Sequence, residues 1–278
     1  MHCWSRIQTP GPWWNEARLG MKHIQSRDNP FFKELVKLAG SARQRNKANQ
    51  TLLDGAHLLG AYLDAGKKPQ HILLNAAALQ DGEIIALLER AGDVSTTQLD
   101  DKLFVELSEL KTPTGILALI DLPKPVAPVA AAGFALLLED IQDPGNLGSM
   151  LRSAAAAGCD AVFLSKGCAD AWSPRVLRAA MGGHFALHIY EQQDLPGVAK
   201  TFSGALLATS LQATRSLYEC DLRANVAFMI GNEGAGLSDE LLNLATHKIT
   251  IPMPGKVESL NAAAATAICL FKAVRQRQ

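Results

Sequence analysis

Three short segments in the second half of the chain combine glycine turns with polar side chains that could position a reacting group. In the first, DPGNLGSMLR (143–152), an apolar run leads into a Pro/Gly turn, and Asn146 and Arg152 follow. A dinucleotide-binding loop requires G-x-G-x-x-G and a Walker A loop requires a lysine after its last glycine, and this segment has neither. It therefore predicts a turn and a helix that Asn146 could cap, and it does not indicate a phosphate-binding loop.

The other two segments also follow apolar runs that predict strands. GNEGAGLS (231–238) places three glycines and Glu233 after one run, and IPMPGKVESLN (251–261) precedes an alanine-rich helix. Ligands of open α/β sheets bind at the carboxyl ends of the strands, so the three loops predict one shared site. The residues alone leave Ser259 open as a helix cap or a functional residue, and Asn261 as functional or simply facing solvent.

The predicted site has few titratable groups. No Ser-His-Asp set, carboxylate pair or metal-ligand cluster accompanies the three segments. His184 and His188 are four residues apart, but Gly182 and Gly183 precede them and no third ligand is evident. We therefore expect both histidines to be structural and no metal to be bound.

Alternating strands and helices are predicted to position these loops. The strands of the second half are continuously apolar, which is typical of a parallel sheet with helices on both faces. The predicted strands are 134–139, 161–165, 185–189, 205–210, 226–231 and 248–252. The predicted helices lie near 146–158, 173–182, 194–202, 238–244 and 259–276.

The first half predicts a smaller α/β domain, and a stretch with three prolines follows it, which is typical of a linker. The first twenty residues contain three tryptophans and two prolines but no apolar signal-peptide segment, so we expect a disordered extension. The predicted elements are a helix after Pro30, a strand and helix in 51–66, strands at 71–75 and 115–122, and a helix at 83–92. The predicted organisation is an extension (1–20), a first domain (21–122), a linker (123–133) and a second domain (134–278).

Charge and cysteine content limit the classes of protein that fit. The 278 residues include 27 basic and 27 acidic side chains, so only a local patch could bind nucleic acid. Five scattered cysteines favour a reducing cytoplasm, and no apolar run approaches the roughly 20 residues of a membrane span. The stretch from Lys22 to Lys47 is strongly basic, which fits either a solvated helix face or an edge that contacts RNA. The candidates for RNA contact there are Arg27, Lys33, Arg43, Arg45 and Lys47.

The three segments, in this order and spacing, resemble the motifs of the SpoU (TrmH) family of RNA ribose 2′-O-methyltransferases, part of the SPOUT class. The resemblance covers residues 134–278, and 22–122 is more loosely similar to the family's N-terminal RNA-binding domain. It implies a SPOUT domain with a parallel sheet, helices on both faces and a deep C-terminal trefoil knot, preceded by a small α/β domain. It also implies S-adenosylmethionine as cofactor and a homodimer.

The resemblance also implies roles for individual residues. Arg152 becomes the candidate catalytic residue, either as a general base or, because arginine normally stays protonated, as a group that orients the ribose hydroxyl. The other catalytic candidates are Asn146, Glu233, Ser259 and Asn261. The cofactor-binding candidates are Gly231, Asn232, Ile251, Met253 and Leu260.

The expected function is methylation of a ribose 2′-OH in structured RNA. The appended domain and its basic stretch favour ribosomal RNA, and a transfer-RNA ribose methyltransferase is the nearest alternative. A non-catalytic RNA-binding assembly factor on the same fold is a further alternative, whereas the failed dinucleotide fingerprint counts against an NAD-dependent reductase. The target nucleotide is not predicted, because RNA is recognised through shape and unpaired bases.

Overall fold

The computed structural model describes residues 21–108, 110, 112–123 and 132–278, which form two compact units. The first unit consists of residues up to Leu122 with Trp172–Pro174, and the second contains the remainder. The predicted extension (1–20) and residues 124–131 of the predicted linker lie outside the described residues. The predicted domain limits therefore stay predictions. No helix among the described residues is long and apolar enough to cross a bilayer.

The first unit contains a five-stranded mixed sheet, and its strands are β1 (Lys22–Ile24), β2 (Gln50–Asp54), β3 (His71–Leu74), β4 (Thr96–Leu99) and β5 (Ile116–Asp121). Their order in the sheet is β1-β4-β3-β5-β2. β1, β4 and β3 run parallel to one another, whereas β5 is antiparallel to both β3 and β2. Its helices are α1 (Pro30–Gly40), α2 (Ala42–Ala48), α3 (Ala56–Asp64), α4 (Gly82–Ala91) and α5 (Asp101–Leu107).

Helix α1 shows how the sequence builds this unit. The Asn29 side chain accepts hydrogen bonds from the amides of Phe31 and Phe32 and so caps the helix, and Pro30 occupies its first turn. Phe32, Leu35 and Leu38 are buried in the core of the unit. The predicted helix is confirmed, but β1 and β4 were not predicted, because they are short and partly polar.

The second unit contains a seven-stranded sheet, and its strands are β6 (Phe134–Leu138), β7 (Ala161–Leu164), β8 (His188–Tyr190), β9 (Ala205–Thr209), β10 (Arg215–Ser216), β11 (Val226–Ile230) and β12 (His247–Thr250). Their order in the sheet is β10-β12-β9-β11-β6-β7-β8, and every neighbouring pair is parallel. The predicted parallel sheet is therefore confirmed. Its helices are α6 (Pro144–Ala157), α7 (Pro174–Ala180), α8 (Leu195–Thr201), α9 (Asp239–Leu244) and α10 (Ala262–Arg277).

The predicted strand at 185–189 is wrong in its position. Residues Gly183–Ala186 form a 3-10 turn instead, and the strand begins at His188. Gly182 enters this turn with φ +85°, which favours glycine, and the buried His184 ring lies 2.6 Å from the carbonyl oxygen of Ala171 through Nε2. The turn, rather than a strand, is what places the imidazole in the interior.

Candidate active site

The first segment of the site forms the turn between β6 and α6. The Asp143 carboxylate accepts a hydrogen bond from the amide of Asn146 at 2.7 Å, and Pro144 occupies the first turn of the helix. Helix α6 therefore begins two residues earlier than predicted, because Asp143 is its cap. The prediction that Asn146 caps this helix is wrong, and its side chain is free to point elsewhere.

The second segment is a tight loop after β11, built around Asn232 and Gly231. The Asn232 side-chain oxygen accepts from the amides of Gly234 and Ala235 at 2.8 and 3.1 Å. A Cβ on Gly231 would lie 2.2 Å from the carbonyl group of Gly236, so the two backbone strands approach too closely for any side chain. The loop thus exposes backbone groups at the end of a buried strand.

The first two segments are held together because β6 and β11 are neighbours in the sheet. The Asn232 side-chain nitrogen donates to the carbonyl oxygen of Asp140 at 2.9 Å, and the Glu139 carboxylate accepts from the amide of Ser238 at 2.7 Å. Asp140 has φ +53°, an uncommon conformation for a residue with a side chain. These contacts fix the loop after β11 against the turn that leads to Asn146.

The third segment runs from β12 to α10 and ends at Asn261. The Asn261 side-chain oxygen accepts from the amides of Ala263 and Ala264 at 2.9 and 3.2 Å, so Asn261 caps α10. The helix therefore begins at Ala262 rather than at the predicted residue 259. Of the two roles left open for Ser259, the helix cap is excluded, since Asn261 holds that position.

Three catalytic candidates meet in one chain of hydrogen bonds. The Asn146 side-chain nitrogen donates to Glu233 Oε1 at 2.6 Å, and the Asn261 side-chain nitrogen donates to Asn146 Oδ1 at 2.9 Å. These residues come from the three different segments and are 87 and 115 residues apart in the chain. The chain of contacts joins all three loops at the carboxyl edge of the sheet.

Arg152 lies outside this chain of contacts. It is exposed on α6, and its guanidinium makes no hydrogen bond or ion pair with any of the described residues. Six residues separate it from Asn146, which corresponds to about 600° around the helix and puts the two on different faces. The five donors of its guanidinium are therefore available to a bound molecule.

A pocket of about 480 Å³ opens at the same edge of the sheet. Asn146, Arg152 and Asn261 are not part of its wall. Seven predicted site residues do line it: Gly231, Asn232, Glu233, Ile251, Met253, Ser259 and Leu260.

The pocket also has a wall that sequence reasoning missed. The last residue of β9, Thr209, lines it together with the next three residues, Ser210, Leu211 and Gln212. Because β9 lies between β12 and β11 in the sheet, its carboxyl end falls between the second and third segments. A strand at 205–210 was predicted, but its place in the sheet was not, so nothing in the sequence tied this loop to the site.

The electrostatic character of the pocket is acidic. The residues that line it include Glu233 and Asp239 and contain no lysine, arginine or histidine. Asp239 is in the first turn of α9, where the helix dipole favours a negative charge. Elsewhere in the part of the chain that the structure describes, no group of three His, Cys, Asp or Glu side chains could hold a metal ion.

Two of the basic candidates in the first unit are already paired. Arg27 donates through Nε to both carboxylate oxygens of Glu106 at 2.8 and 3.1 Å, and this hydrogen bonding raises the pKa of the arginine. Lys33 contacts the carboxylate of Asp28 at 2.8 Å. Both pairs are exposed, so a phosphate could compete for either cation.

Arg45 differs from the other basic candidates because it is buried, at 4% exposure. Its Nη1 donates to the carbonyl oxygens of Leu38 and Ala39 at 2.6 and 3.0 Å, which satisfies the last turn of α1. This placement does not fit the predicted contact with RNA, and Arg45 is a structural residue. Arg43 and Lys47 are exposed on α2 and form no ion pair among the described residues.

The comparisons with known proteins agree with this architecture. Residues 133–271 match the SpoU rRNA Methylase family, and residues 29–118 match the MRM3-like substrate binding domain. The chain is 34% identical to the 23S rRNA (guanosine(2553)-2′-O)-methyltransferase RlmP of Bacillus subtilis, over 90% of this chain and 98% of that protein.

Solved structures show the same likeness across most of the chain. A crystal structure of an RNA 2′-O ribose methyltransferase superimposes with a TM-score of 0.78 and 31% identity, covering 92% of this chain and 99% of that one. The AdoMet-bound rRNA methyltransferase from Sinorhizobium meliloti gives a TM-score of 0.77 and 26% identity, covering 92% and 98%. The chain belongs to the SpoU rRNA methylase family. The trefoil knot that the resemblance implies stays a prediction.

Proposed function

We propose that this protein transfers the methyl group of S-adenosylmethionine to a ribose 2′-OH of ribosomal RNA. The observation that carries the proposal is the pocket, where all five cofactor-binding candidates, drawn from two separate loops, line one cavity. Membership of the SpoU family, the 2′-O-methyltransferase activity of the RlmP relative and the AdoMet-bound S. meliloti neighbour support the proposal.

The pocket suits S-adenosylmethionine in size and in charge. Its volume lies within the range of about 300–1,000 Å³ that is usual for small-molecule sites. Apolar side chains such as Ile251 and Leu260 provide a surface for a flat base, and the close backbone at Gly231 offers hydrogen-bonding groups without a side chain in the way. Two carboxylates with no basic side chain favour a ligand that carries a sulfonium and an ammonium group.

The bound cofactor supplies an activated methyl group, and the residues of this chain position the acceptor. A ribose hydroxyl is a weak acid that must lose its proton as it reacts. Asn146, held at both ends of its amide, offers a fixed hydrogen-bonding group to the ribose. The Arg152 guanidinium orients the hydroxyl and a neighbouring phosphate through its fork of donors, while Glu233 and Ser259 line the cofactor pocket.

The first unit supplies the contact with RNA in this proposal. Residues 29–118 match a substrate binding domain, and Arg43 and Lys47 lie one turn apart on α2 with exposed side chains. Arg27 and Lys33 join them by exchanging their carboxylate partners for phosphate. Ribosomal RNA is preferred over transfer RNA because the RlmP relative, which this chain matches over nearly its full length, acts on 23S rRNA.

Assembly and location complete the proposal. We propose that the protein is a homodimer, on the basis of the family resemblance, and that it is located in the cytoplasm. The four described cysteines are free, and three of them are buried, which suits a reducing compartment. Sedimentation that gives a monomer at micromolar concentration would contradict the dimer.

The decisive experiment supplies radiolabelled S-adenosylmethionine with separated ribosomal and transfer RNA, followed by mapping of the methylated ribose. We expect label in ribosomal RNA at a single 2′ position. Label in transfer RNA alone would mean that transfer RNA, and not ribosomal RNA, is the substrate. Cofactor binding without methyl transfer to either RNA would favour an assembly factor. The Arg152→Ala variant serves as the matched control for background incorporation.

A further inference from the structure

The two ends of the Asn261 side chain perform different tasks. Its oxygen caps α10, and its nitrogen contacts Asn146. We infer that Asn261 is a positioning residue that uses the start of α10 to fix which way round the Asn146 amide lies, and that this requires Glu233 to present an oxygen that accepts a hydrogen bond. The inference deepens the proposed function and rests on it only in placing Asn146 beside the ribose.

The first step fixes the orientation of Asn261. Backbone amides of Ala263 and Ala264 can only donate, so the atom that they contact must be the side-chain oxygen of Asn261. The nitrogen of the same amide therefore faces Asn146. Since a side-chain NH₂ group can only donate, the atom of Asn146 that lies 2.9 Å away must be its oxygen.

The second step fixes Asn146 and Glu233. With its oxygen turned to Asn261, Asn146 presents its nitrogen to Glu233 Oε1 at 2.6 Å, and that oxygen must accept. A reversed Asn146 would bring two NH₂ groups together at one end and an amide oxygen against a carboxylate oxygen at the other. Both arrangements are repulsive, so only one orientation of the three side chains satisfies every contact.

The arrangement fixes what Asn146 offers to a ligand. One N–H and one lone pair of its amide are already used, which leaves one of each in a known direction. The loop before Asn261 is exposed over residues 254–260, whereas Asn261 itself caps the first turn of α10. The contact from Asn261 therefore ties the Asn146 amide to the start of a helix. Asn261 thereby connects a stable helix to the orientation of a group in the active site.

The substitution Asn261→Asp separates the two tasks. Aspartate caps a helix as well as asparagine does, but it cannot donate to Asn146. We expect kcat to fall about 100-fold, as for misplacement of a positioning group, while the dissociation constant for S-adenosylmethionine changes by less than about threefold. Asn29→Asp, at the cap of α1, is the matched control and should leave the melting temperature unchanged.

A reversed chain of contacts provides the second test. In the double variant Asn261→Asp with Glu233→Gln, the new glutamine can donate to Asn146 oxygen, and Asn146 nitrogen can donate to the new aspartate. We expect this double variant to melt about 2–4 °C above the value obtained by adding the two single changes. Its kcat stays low, because the Asn146 amide now lies the other way round.

The inference would be overturned if the changes in melting temperature of the two single variants add up in the double variant, or if Asn261→Asp keeps the kcat of the wild-type protein. The melting temperatures do not depend on the identity of the RNA, whereas kcat requires an RNA that the protein methylates. If the wild-type protein transfers no methyl group to either RNA, the proposed function fails, yet the melting temperatures of the single and double variants still test the contacts. Failure of the inference and failure of the proposed function are therefore distinguishable.

Discussion

Arg152 stands apart from the other catalytic candidates, because its exposed guanidinium has no partner among the described residues and no place in the pocket wall. Asn146, Glu233 and Asn261, in contrast, hold one another. The site therefore contains two amides and a carboxylate that hold one another, together with an arginine that makes no hydrogen bond or ion pair within the part of the chain that the structure describes. In the sequence, only the resemblance to the family motif indicated a functional role for Arg152.

Replacing Arg152 should separate catalysis from cofactor binding. We expect Arg152→Ala to lower methyl transfer by at least about 100-fold, because the reacting hydroxyl loses the group that orients it. The affinity for S-adenosylmethionine, measured by calorimetry, should stay within about threefold, since Arg152 does not line the pocket. Loss of cofactor binding would contradict the proposed role.

Asp239 should contribute to recognition of the positive charge on the cofactor. Asp239→Asn is expected to weaken S-adenosylmethionine about three- to tenfold at low salt and to leave the uncharged-sulfur product, S-adenosylhomocysteine, nearly unaffected. Titration calorimetry with both ligands measures this. Glu240→Gln is the matched control, because Glu240 is on the same turn of α9, contacts Lys200 at 3.6 Å and is outside the pocket wall. An equal loss for both ligands would exclude an effect specific to the sulfonium charge, because both ligands carry the ammonium group.

At the scale of elements, helix α6 is placed against α7 through a glycine. A Cβ on Gly148 would lie 2.4 Å from Cβ of Ala179 and 2.7 Å from the carbonyl oxygen of Val176. Because α6 carries both Asn146 and Arg152, this packing fixes the backbone positions from which the two side chains extend. Gly148 is in the middle of a helix, where helix propensity alone would prefer alanine.

Gly148→Ala should therefore destabilise the protein despite the gain in helix propensity. We expect a net loss of about 1–2 kcal/mol, from overpacking of about 2–3 kcal/mol, because a backbone oxygen lies only 2.7 Å from the new Cβ, less a propensity gain of about 1 kcal/mol. Gly40→Ala at the end of α1 is the control, since nothing lies within 4 Å of its Cβ position and it should be neutral or stabilising. Urea denaturation compares the two, and an equally stable Gly148→Ala would contradict tight packing.

Most elements of the second unit could be predicted from the sequence, because a buried parallel strand such as FALLL or VAFMI is apolar at every position. The order of the strands could not be, since no local pattern says that β9 lies between β12 and β11. That order brings Thr209–Gln212 into the pocket. The helix caps could not be settled from the sequence either, because spacing alone does not tell which of two polar residues turns toward the helix. The predicted cap at Asn146 was wrong, since Asp143 holds that position, and the cap left open at Ser259 is formed by Asn261.

At the scale of the whole molecule, a buried histidine ties stability to pH. Burial lowers the pKa of His184 to about 4, although the hydrogen bond with the carbonyl of Ala171 opposes the shift. An unfolded histidine has a pKa of about 6.5, so between these values the unfolded chain binds the proton more tightly. The contribution of His184 to stability is therefore present above pH 6.5 and is lost as the pH falls toward 4.

Between pH 7 and pH 5 this loss should amount to about 2 kcal/mol of unfolding free energy. His184→Gln keeps a donor that can face the Ala171 carbonyl and removes the titrating group. The variant should therefore lose about 2 kcal/mol less unfolding free energy than the wild-type protein between pH 7 and pH 5, although its unfolding free energy at pH 7 is lower. Denaturant unfolding at the two pH values measures the difference. His188→Gln is the control because His188 is exposed, and it should follow the wild-type slope. The same slope in His184→Gln would mean that other groups carry the acid sensitivity of this fold.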